Sequence, residues 1–302
     1  MQNIVQFAHE ELGIKLFPVQ RFVLKLFYGI PLEGAEQTIT VPTAPLTSDE
    51  TRRFTEAEYL HYLYGEGRCN VHEEVGSLPS LCLVMGRRSG KNLLTSIMAA
   101  HAAKELLSKS DPQGYFGLPP STRIRITLMC GGKDAAVVAA SDVRAHVERG
   151  ESFKPWLEST TWTGCRFKPH VEIRAKSAHA KGLRGPCNYF ASFEELAFMH
   201  DAENVVNAVV PTTASFTPKG PNGMPAGPLE SRVVYQSSPK NRTDHFHTIY
   251  EFGMREGRDH MLVLQIPTWE INPTLPLEFL RQAHRRQQAV FHNEFGAQFG
   301  PD

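Results

Sequence analysis

No apolar run in this chain approaches the ~18 residues of a membrane-spanning helix, and Met1–Glu11 shows no basic-then-apolar signal pattern. The sequence therefore reads as a soluble, intracellular protein with no membrane partner. An excess of either charge is missing too: Lys+Arg and Asp+Glu are both 32, for a net charge of zero. That balance argues against a surface wrapped all over in nucleic acid, and it leaves one basic face open. Cysteine is sparse. Cys69, Cys82, Cys130, Cys165 and Cys187 are odd in number and none stands in a CxxC pair, so neither a zinc site nor a disulfide framework is expected. Buried reduced thiols in a reducing compartment are the simpler reading. Internal repeats are absent. What remains is material for a core, since 302 residues at 41% hydrophobic content suffice for one large or two smaller domains.

Apolar residues at helical spacing over 3–28 give two helical pieces around Pro18. From Pro31 to Pro79 the pattern weakens, apart from a short helix near Asp49–Tyr64, and the stretch reads as an insertion. Strand patterns then fall at 81–85, 123–130, 170–175, 187–193, 231–236 and 261–266. Helical patterns lie between and after them at 91–108, 133–149, 201–209 and 276–290, with a Pro/Gly-rich loop over 211–230. Such alternation predicts an α/β fold with a mostly parallel sheet and helices on both faces.

The sharpest motif is the apolar strand Leu81–Met85 running into Gly86-Arg87-Arg88-Ser89-Gly90-Lys91-Asn92. Glycine opens backbone geometry in which successive N–H groups converge on an anion, and the following helix turns its positive end to it. Lys91 adds a full charge. Two positions depart from the usual phosphate loop: Met85 stands at the first glycine position, and Asn92 at the Ser or Thr position. An ordinary turn with a solvated lysine would give the same string.

A second strand pattern ends in Glu194-Glu195. Adjacent strand residues point to opposite sides, so one carboxylate can hold hydrated Mg²⁺ while the other orients the attacking water. A bare strand cap is the alternative. A third strand ends in Ser237-Ser238-Pro239, placed to sense a γ-phosphate at the carboxyl edge of the sheet, or simply a turn. Between Arg174 and Gly185 lie Arg174, Lys176, His179, Lys181 and Arg184 without acids, a composition suited to a loop near a polyanion or to a solvated surface.

In their order along the chain these segments resemble the ATPase domain of a phage large terminase, the motor of genome packaging, over most of its length. Phe17–Arg21 resembles the family's adenine-recognising segment, which makes Gln20 the base contact. Gly86–Lys91 is similar to its arginine-bearing phosphate loop, in which the first glycine is commonly missing. Ser177–Gly185 leading into Phe193–Phe198 resembles the run from the Arg-Gly segment into the acidic strand end, and Ser237–Pro239 resembles the coupling motif. Thr268–Pro273 and Phe291–Phe295 resemble the end of the domain and the approach to a nuclease.

The resemblance implies a P-loop NTPase of the ASCE, RecA-like kind with a small C-terminal lid. The implied parts are a helical segment with the adenine contact (1–30), an insertion (31–79), the ATPase core (80–240), and the end of the core with the lid and linker (241–302). ATP is the implied substrate, with Mg²⁺. Arg88, Ser89, Gly90 and Lys91 hold the phosphates, and Ser237 and Ser238 sense the γ-phosphate. Asn92 and Glu194 help place the metal, partly through water. Glu195 activates the water, Arg87 acts in cis, and Arg184 is the finger for a neighbouring subunit. Glu194 stands where the family usually has Asp, and Asn92 offers a weaker, neutral ligand than a hydroxyl. The implied partners are double-stranded DNA, the portal protein, the small terminase subunit and further copies in a ring, at the procapsid portal in the host cytoplasm. Because the sequence stops at Asp302, an isolated motor domain is expected, monomeric by itself and without nuclease activity. Two other readings share these motifs: a helicase-like, nucleic-acid-stimulated P-loop ATPase, and a nucleotide-binding module whose catalysis Asn92 has disabled.

Overall fold

A computed structural model describes residues 2–178 and 182–300 of the chain. His179 and Lys181 of the basic loop lie outside the described residues. Two short strands, β1 (Ile39–Pro42) and β2 (Thr51–Phe54), form an antiparallel hairpin. The others are β3 (Ser80–Met85), β4 (Ile124–Cys130), β5 (Leu157–Thr161), β6 (Gly164–Phe167), β7 (Val171–Ser177), β8 (Cys187–Glu194), β9 (Arg232–Ser237) and β10 (Met261–Ile266). These eight run in the order β10-β3-β9-β8-β4-β7-β6-β5 in a mainly parallel sheet flanked by helices, as the alternating pattern predicts. By its internal contacts the chain divides into two compact units: Met1–Ile14 with Asn92–Val234, and Lys15–Lys91 with Tyr235–Asp302.

In the first unit β4 is flanked by parallel partners. β7 pairs with it from Ile124↔Val171 to Cys130↔Ser177, and β8 pairs on its other edge with a register shift at Arg125/Ile126. Both edges of β4 are thus paired, which satisfies its backbone, and every residue of the strand except the half-buried Arg125 is buried. The helix Lys133–Arg149 lays Ala136, Ala140, Val143 and Val147 against β4 and β7, one stripe at helical spacing. Beyond β7 the sheet continues as the antiparallel hairpin β5–β6. Its sequence carries no strong strand signal, because β5 is short, polar and largely exposed. Near the N-terminus, Asn3 caps the first helical turn through the N–H groups of Val5 and Gln6, and Phe7 packs edge-on against the rings of His101 and Phe153.

The second unit is built around β3 and β10, paired in parallel from Met261↔Ser80 to Ile266↔Met85. Leu81–Met85 are all fully buried. A helix at His245–Glu256 packs on both strands. Its mixed polar and aromatic sequence has no clear apolar stripe, but Asp244 marks its start by accepting from the His247 N–H at 2.9 Å. The expected helix over 276–290 is two, Leu277–Arg286 and Gln288–Glu294, parted where Gln287 is extended at φ −150°. The helix Pro18–Tyr28 starts on a proline, which has no N–H to leave unpaired, and ends on Gly29 in the left-handed region at φ 65°.

A buried ion cluster fixes that helix to the next one, Glu56–Gly65. The Glu56 carboxylate is 0% exposed and accepts from Lys25 Nζ at 2.8 Å, Arg21 Nε at 3.0 Å and the Glu33 N–H at 2.9 Å. Three donors on one carboxylate offset its desolvation, and the Glu33 carboxylate, half-exposed, takes a second bond from Lys25 Nζ at 2.8 Å and lies 3.5 Å from Arg21 Nη2. Glu56→Ala should cost about 1–3 kcal/mol, since Glu33 keeps Lys25 and Arg21 paired, read as a lower midpoint in urea unfolding at an unchanged slope. A loss within about 0.5 kcal/mol, the range of a surface change, would show that the cluster contributes nothing net.

Candidate functional site

β3 ends at Met85, and the chain turns through Gly86–Gly90 into the helix Lys91–Leu107. Within the turn Arg88 stands at φ 63° and Gly90 at φ 82°. Left-handed residues set among ordinary ones curl the backbone so that neighbouring N–H groups can form an anion-binding concavity. For Gly90 the geometry suits the residue, and a Cβ there would lie 2.5 Å from Gln20 Nε2. For Arg88 it costs about 1–3 kcal/mol, strain that the surroundings must hold.

They hold it through the loop's carbonyls. Thr268 Oγ1 donates to Arg87 O at 2.8 Å, Asn272 Nδ2 to Arg88 O at 2.7 Å, and Gln20 Nε2 to Ser89 O at 3.3 Å. Gln20 is itself oriented, because its Oε1 accepts from the Phe17 N–H at 3.0 Å. Arg87 pairs with Glu294 through its guanidinium and again through its backbone N–H. Gly86 sits so close under the C-terminal segment that a Cβ would meet Thr268 Oγ1 at 2.2 Å and Phe295 O at 2.7 Å. Thr268, Asn272 and Glu294 are therefore supports of the loop that motif reading passed over. Their signal lay in Thr268–Pro273 and Phe291–Phe295, which the resemblance marked only as the end of a domain.

The polar groups of the loop suit an anion. Ser89 is 1% exposed, and its hydroxyl has no hydrogen-bond partner among the described residues. A buried donor in that state is worth a ligand, since leaving it unpaired costs about 1–3 kcal/mol. Lys91 is 5% exposed and donates to Ser238 Oγ at 3.2 Å, with Ser237 and Ser238 both buried at the end of β9. The structure thus brings together Gln20, Arg87–Lys91 and Ser238 within one unit.

Asn92, Arg184, Glu194 and Glu195 belong to the other unit. Glu194 closes β8 at 6% exposure and accepts from Ser192 Oγ at 2.7 Å. It stands in register with Cys130, whose thiol is pushed well up by burial first and by the Glu194 charge second. Glu195 leaves the strand in the left-handed region at φ 54°, half-buried, and its carbonyl accepts from the Phe198 N–H at 2.9 Å to start a short 3₁₀ turn. The simple alternation of strand faces therefore stops between the two acids, and the turn redirects the second carboxylate. Asn92 is exposed in the first turn of its helix, and Arg184 is exposed in the irregular stretch before β8.

No group of three or more His, Cys, Asp or Glu side chains able to hold a metal occurs among the described residues. Mg²⁺ seldom needs such a cage, because it keeps several waters and takes one or two carboxylates plus substrate phosphates. A single buried carboxylate such as Glu194 fits that pattern. No helix among the described residues is long and apolar enough to cross a membrane.

The packing at Gly86 gives a direct test. Gly86→Ala should destabilise the fold by about 1–3 kcal/mol and lower the affinity for a fluorescent ATP analogue, because backbone atoms of Phe295 cannot yield as a side-chain tip can. Parent-like melting and analogue binding would mean that the C-terminal segment does not brace the loop.

No family model matches the chain, and no curated protein matches it. Among solved structures it is similar to the large terminase ATPase domain of Thermus phage P74-26, with a TM-score of 0.54 and 19% identity over 75% of this chain and 90% of that one. It is also similar to the large terminase of bacteriophage HK97, with a TM-score of 0.53 and 14% identity over 74% of this chain and 47% of that one. For the large terminase of a further, thermophilic bacteriophage the TM-score is 0.50, with 11% identity over 74% of this chain and 49% of that one. The chain spans about half the length of the latter two proteins. At such identities the likeness is one of fold, and the fold is that of a large terminase ATPase domain.

Proposed function

We propose that this protein hydrolyses ATP as the motor of a phage large terminase, driving double-stranded DNA into a procapsid. The observation that carries the reading is the braced loop Gly86–Lys91: two left-handed residues, three carbonyls held from outside, an unpartnered buried hydroxyl at Ser89, and Lys91 drawn to Ser238. The order of motifs along the chain and the terminase fold support it.

In this reading the N–H groups of Arg88–Lys91 and the Lys91 ammonium hold the β- and γ-phosphates. Ser89 adds its hydroxyl, and Gln20 ties the loop to the base-recognising segment. Glu194 and Asn92 would hold Mg²⁺, partly through water; when bound, the ion neutralises charge on the phosphates. Glu195 accepts a proton from the attacking water and aligns it with the γ-phosphate. Ser237 and Ser238 respond to loss of that phosphate. Arg87 leaves Glu294 to reach the γ-phosphate in cis, and Arg184 is donated to the neighbouring copy in a ring. The portal protein, the small terminase subunit and a place at the procapsid portal in the host cytoplasm complete the proposal.

Asn92 favours a second reading. An exposed amide where a hydroxyl would serve the metal suits a module that binds ATP without turning it over. Phosphate release and analogue binding, measured together, separate the two. Lys91→Ala should lose binding and turnover. Glu195→Ala should keep binding and lose turnover, and lost binding would reassign Glu195 to the metal or to structure. Arg184→Ala should lower the turnover of the assembled motor by ~10³–10⁵ at near-parent nucleotide affinity. If the parent binds ATP without hydrolysis and Asn92→Thr does not restore it, the motor reading fails and the module stands.

A further inference from the structure

Glu270 has no part in the nucleotide chemistry assigned above, yet it is a carboxylate only 5% exposed in the segment that braces the phosphate loop. It lies in the single helical turn Thr268–Ile271, with Asn272 as the next residue. At 3.6 residues per turn, positions four apart share a face, and a residue midway between them points away from it. Thr268 and Asn272 are four apart, and both turn to the loop, donating to Arg87 O and Arg88 O. Glu270, midway between them, faces the other way, into the 31–79 segment. The Tyr59 hydroxyl donates to its Oε2 at 2.6 Å. Arg68 grips both oxygens, Nη1 to Oε1 at 2.9 Å and Nη2 to Oε2 at 3.2 Å. Burial first and the Glu270 charge second push the Tyr59 phenol well above its usual range, so it stays a donor. All of these residues belong to the second unit.

The two partners are themselves fixed. Tyr59 is fully buried in the helix Glu56–Gly65, its ring edge-on to Phe22 at 5.2 Å. The Arg68 guanidinium stands 5.1 Å from the centre of the Tyr62 ring, and the Arg68 carbonyl accepts from the Gln265 N–H at 2.9 Å, which ties it to β10. A bidentate guanidinium fixes a carboxylate in direction as well as distance, which apolar contact does not. Replacing a buried ion pair by well-packed apolar residues is often neutral or stabilising, so what this pair adds is direction. We infer that Glu270 is a positioning residue for the phosphate loop. Tyr59 and Arg68 hold Glu270, Glu270 holds the turn, and the turn holds the Arg87 and Arg88 carbonyls in the shape that offers the neighbouring N–H groups to phosphate. The 31–79 segment, which reads as an insertion, is thereby a support of the site. This rests on the nucleotide reading of Gly86–Lys91, and it adds what keeps that loop in its binding shape.

The test compares the parent with two variants. Glu270→Gln keeps the shape and an oxygen for Tyr59 but drops the charge that Arg68 grips, and Tyr59→Phe keeps the buried ring. Two readouts are taken well below the melting midpoint of each protein: affinity for a fluorescent ATP analogue, and amide hydrogen exchange without nucleotide. Each variant should bind the analogue about 3- to 10-fold more weakly, the size of one misplaced hydrogen bond. Exchange should quicken over residues 86–91 and 268–272 and stay at the parent rate in β4 and in the helix His245–Glu256. A merely structural role would quicken all of them together. Glu270→Gln combined with Asn272→Ala should weaken binding by less than the product of the single effects, because Glu270 acts through the bond from Asn272 to Arg88. Parent-like affinity or parent-like loop exchange in both variants overturns the inference, as does faster exchange throughout the protein. If the parent binds no analogue, the nucleotide reading fails, and the exchange pattern alone decides whether Glu270 positions the loop.

Discussion

Everything proposed for the nucleotide depends on one constraint, the fixing of the Gly86–Gly90 backbone from outside. A loop with Arg88 in the left-handed region is not a conformation that a free chain prefers. The side chains that claim its carbonyls come from remote segments: Gln20 lies 69 positions before Ser89, and Thr268 and Asn272 lie 181 and 184 positions after Arg87 and Arg88. Each bond is worth about 1 kcal/mol net, so together they are of the size of the strain they hold. Preorganisation of this kind matters because donors already fixed toward a phosphate cost no reorganisation when charge moves during reaction. The same tether gives the loop a route of communication. Any shift of Thr268–Phe295 must move the carbonyls of Arg87 and Arg88, and with them the N–H groups of the loop.

The acidic pair follows a different logic. Glu194 completes a strand whose register with β4 is set by a row of apolar neighbours, so its place is fixed by the core itself. Glu195 owes its direction to a left-handed backbone, a conformation uncommon outside glycine. The strain at Glu195 and at Arg88 is the same kind of expense, and both residues stand in the two motifs that the sequence singles out. Strained backbone gathers where chemistry needs a group aimed against the local preference. Two of the five non-glycine residues at positive φ among the described residues fall in these motifs, and His170, Asp201 and Ala297 lie elsewhere, so the strain marks Arg88 and Glu195 as held from outside rather than as a site by itself.

Much of this was legible in the residues, for identifiable reasons. Leu81–Met85, 187–193 and 261–266 are apolar runs because both of their faces are covered, so periodicity and length sufficed to find them. The helices at Lys91 and Lys133 declared themselves by apolar spacing. The hairpin β5–β6 did not, because β5 is a largely exposed edge strand and β6 is only four residues long. The helix His245–Glu256 buries only Phe246 and Gly253, too few to make a stripe. The phosphate loop was visible as a string, but the brace around it was not. A hydrogen bond from Asn272 to Arg88 follows from β10 lying beside β3, and one sequence without its pairing does not show that adjacency. Likewise the basic segment was visible only as Arg174–Gly185. Its partners Arg125 and Lys133 become neighbours only once β4 and β7 are paired from Ile124↔Val171 onward.

Neutral charge and a nucleic-acid partner are compatible for the same reason. A net charge of zero over the whole chain says nothing about how cations are distributed, and here the β4–β7 edge gathers them around a single carboxylate. A handful of phosphate contacts gives a hold that is sensitive to salt and indifferent to sequence. A protein that must pass along a duplex needs both properties. Base-specific contacts would create preferred stopping points, and a surface basic all over would release the strand too slowly. In the proposed motor, contacts of that kind would hold DNA without choosing where.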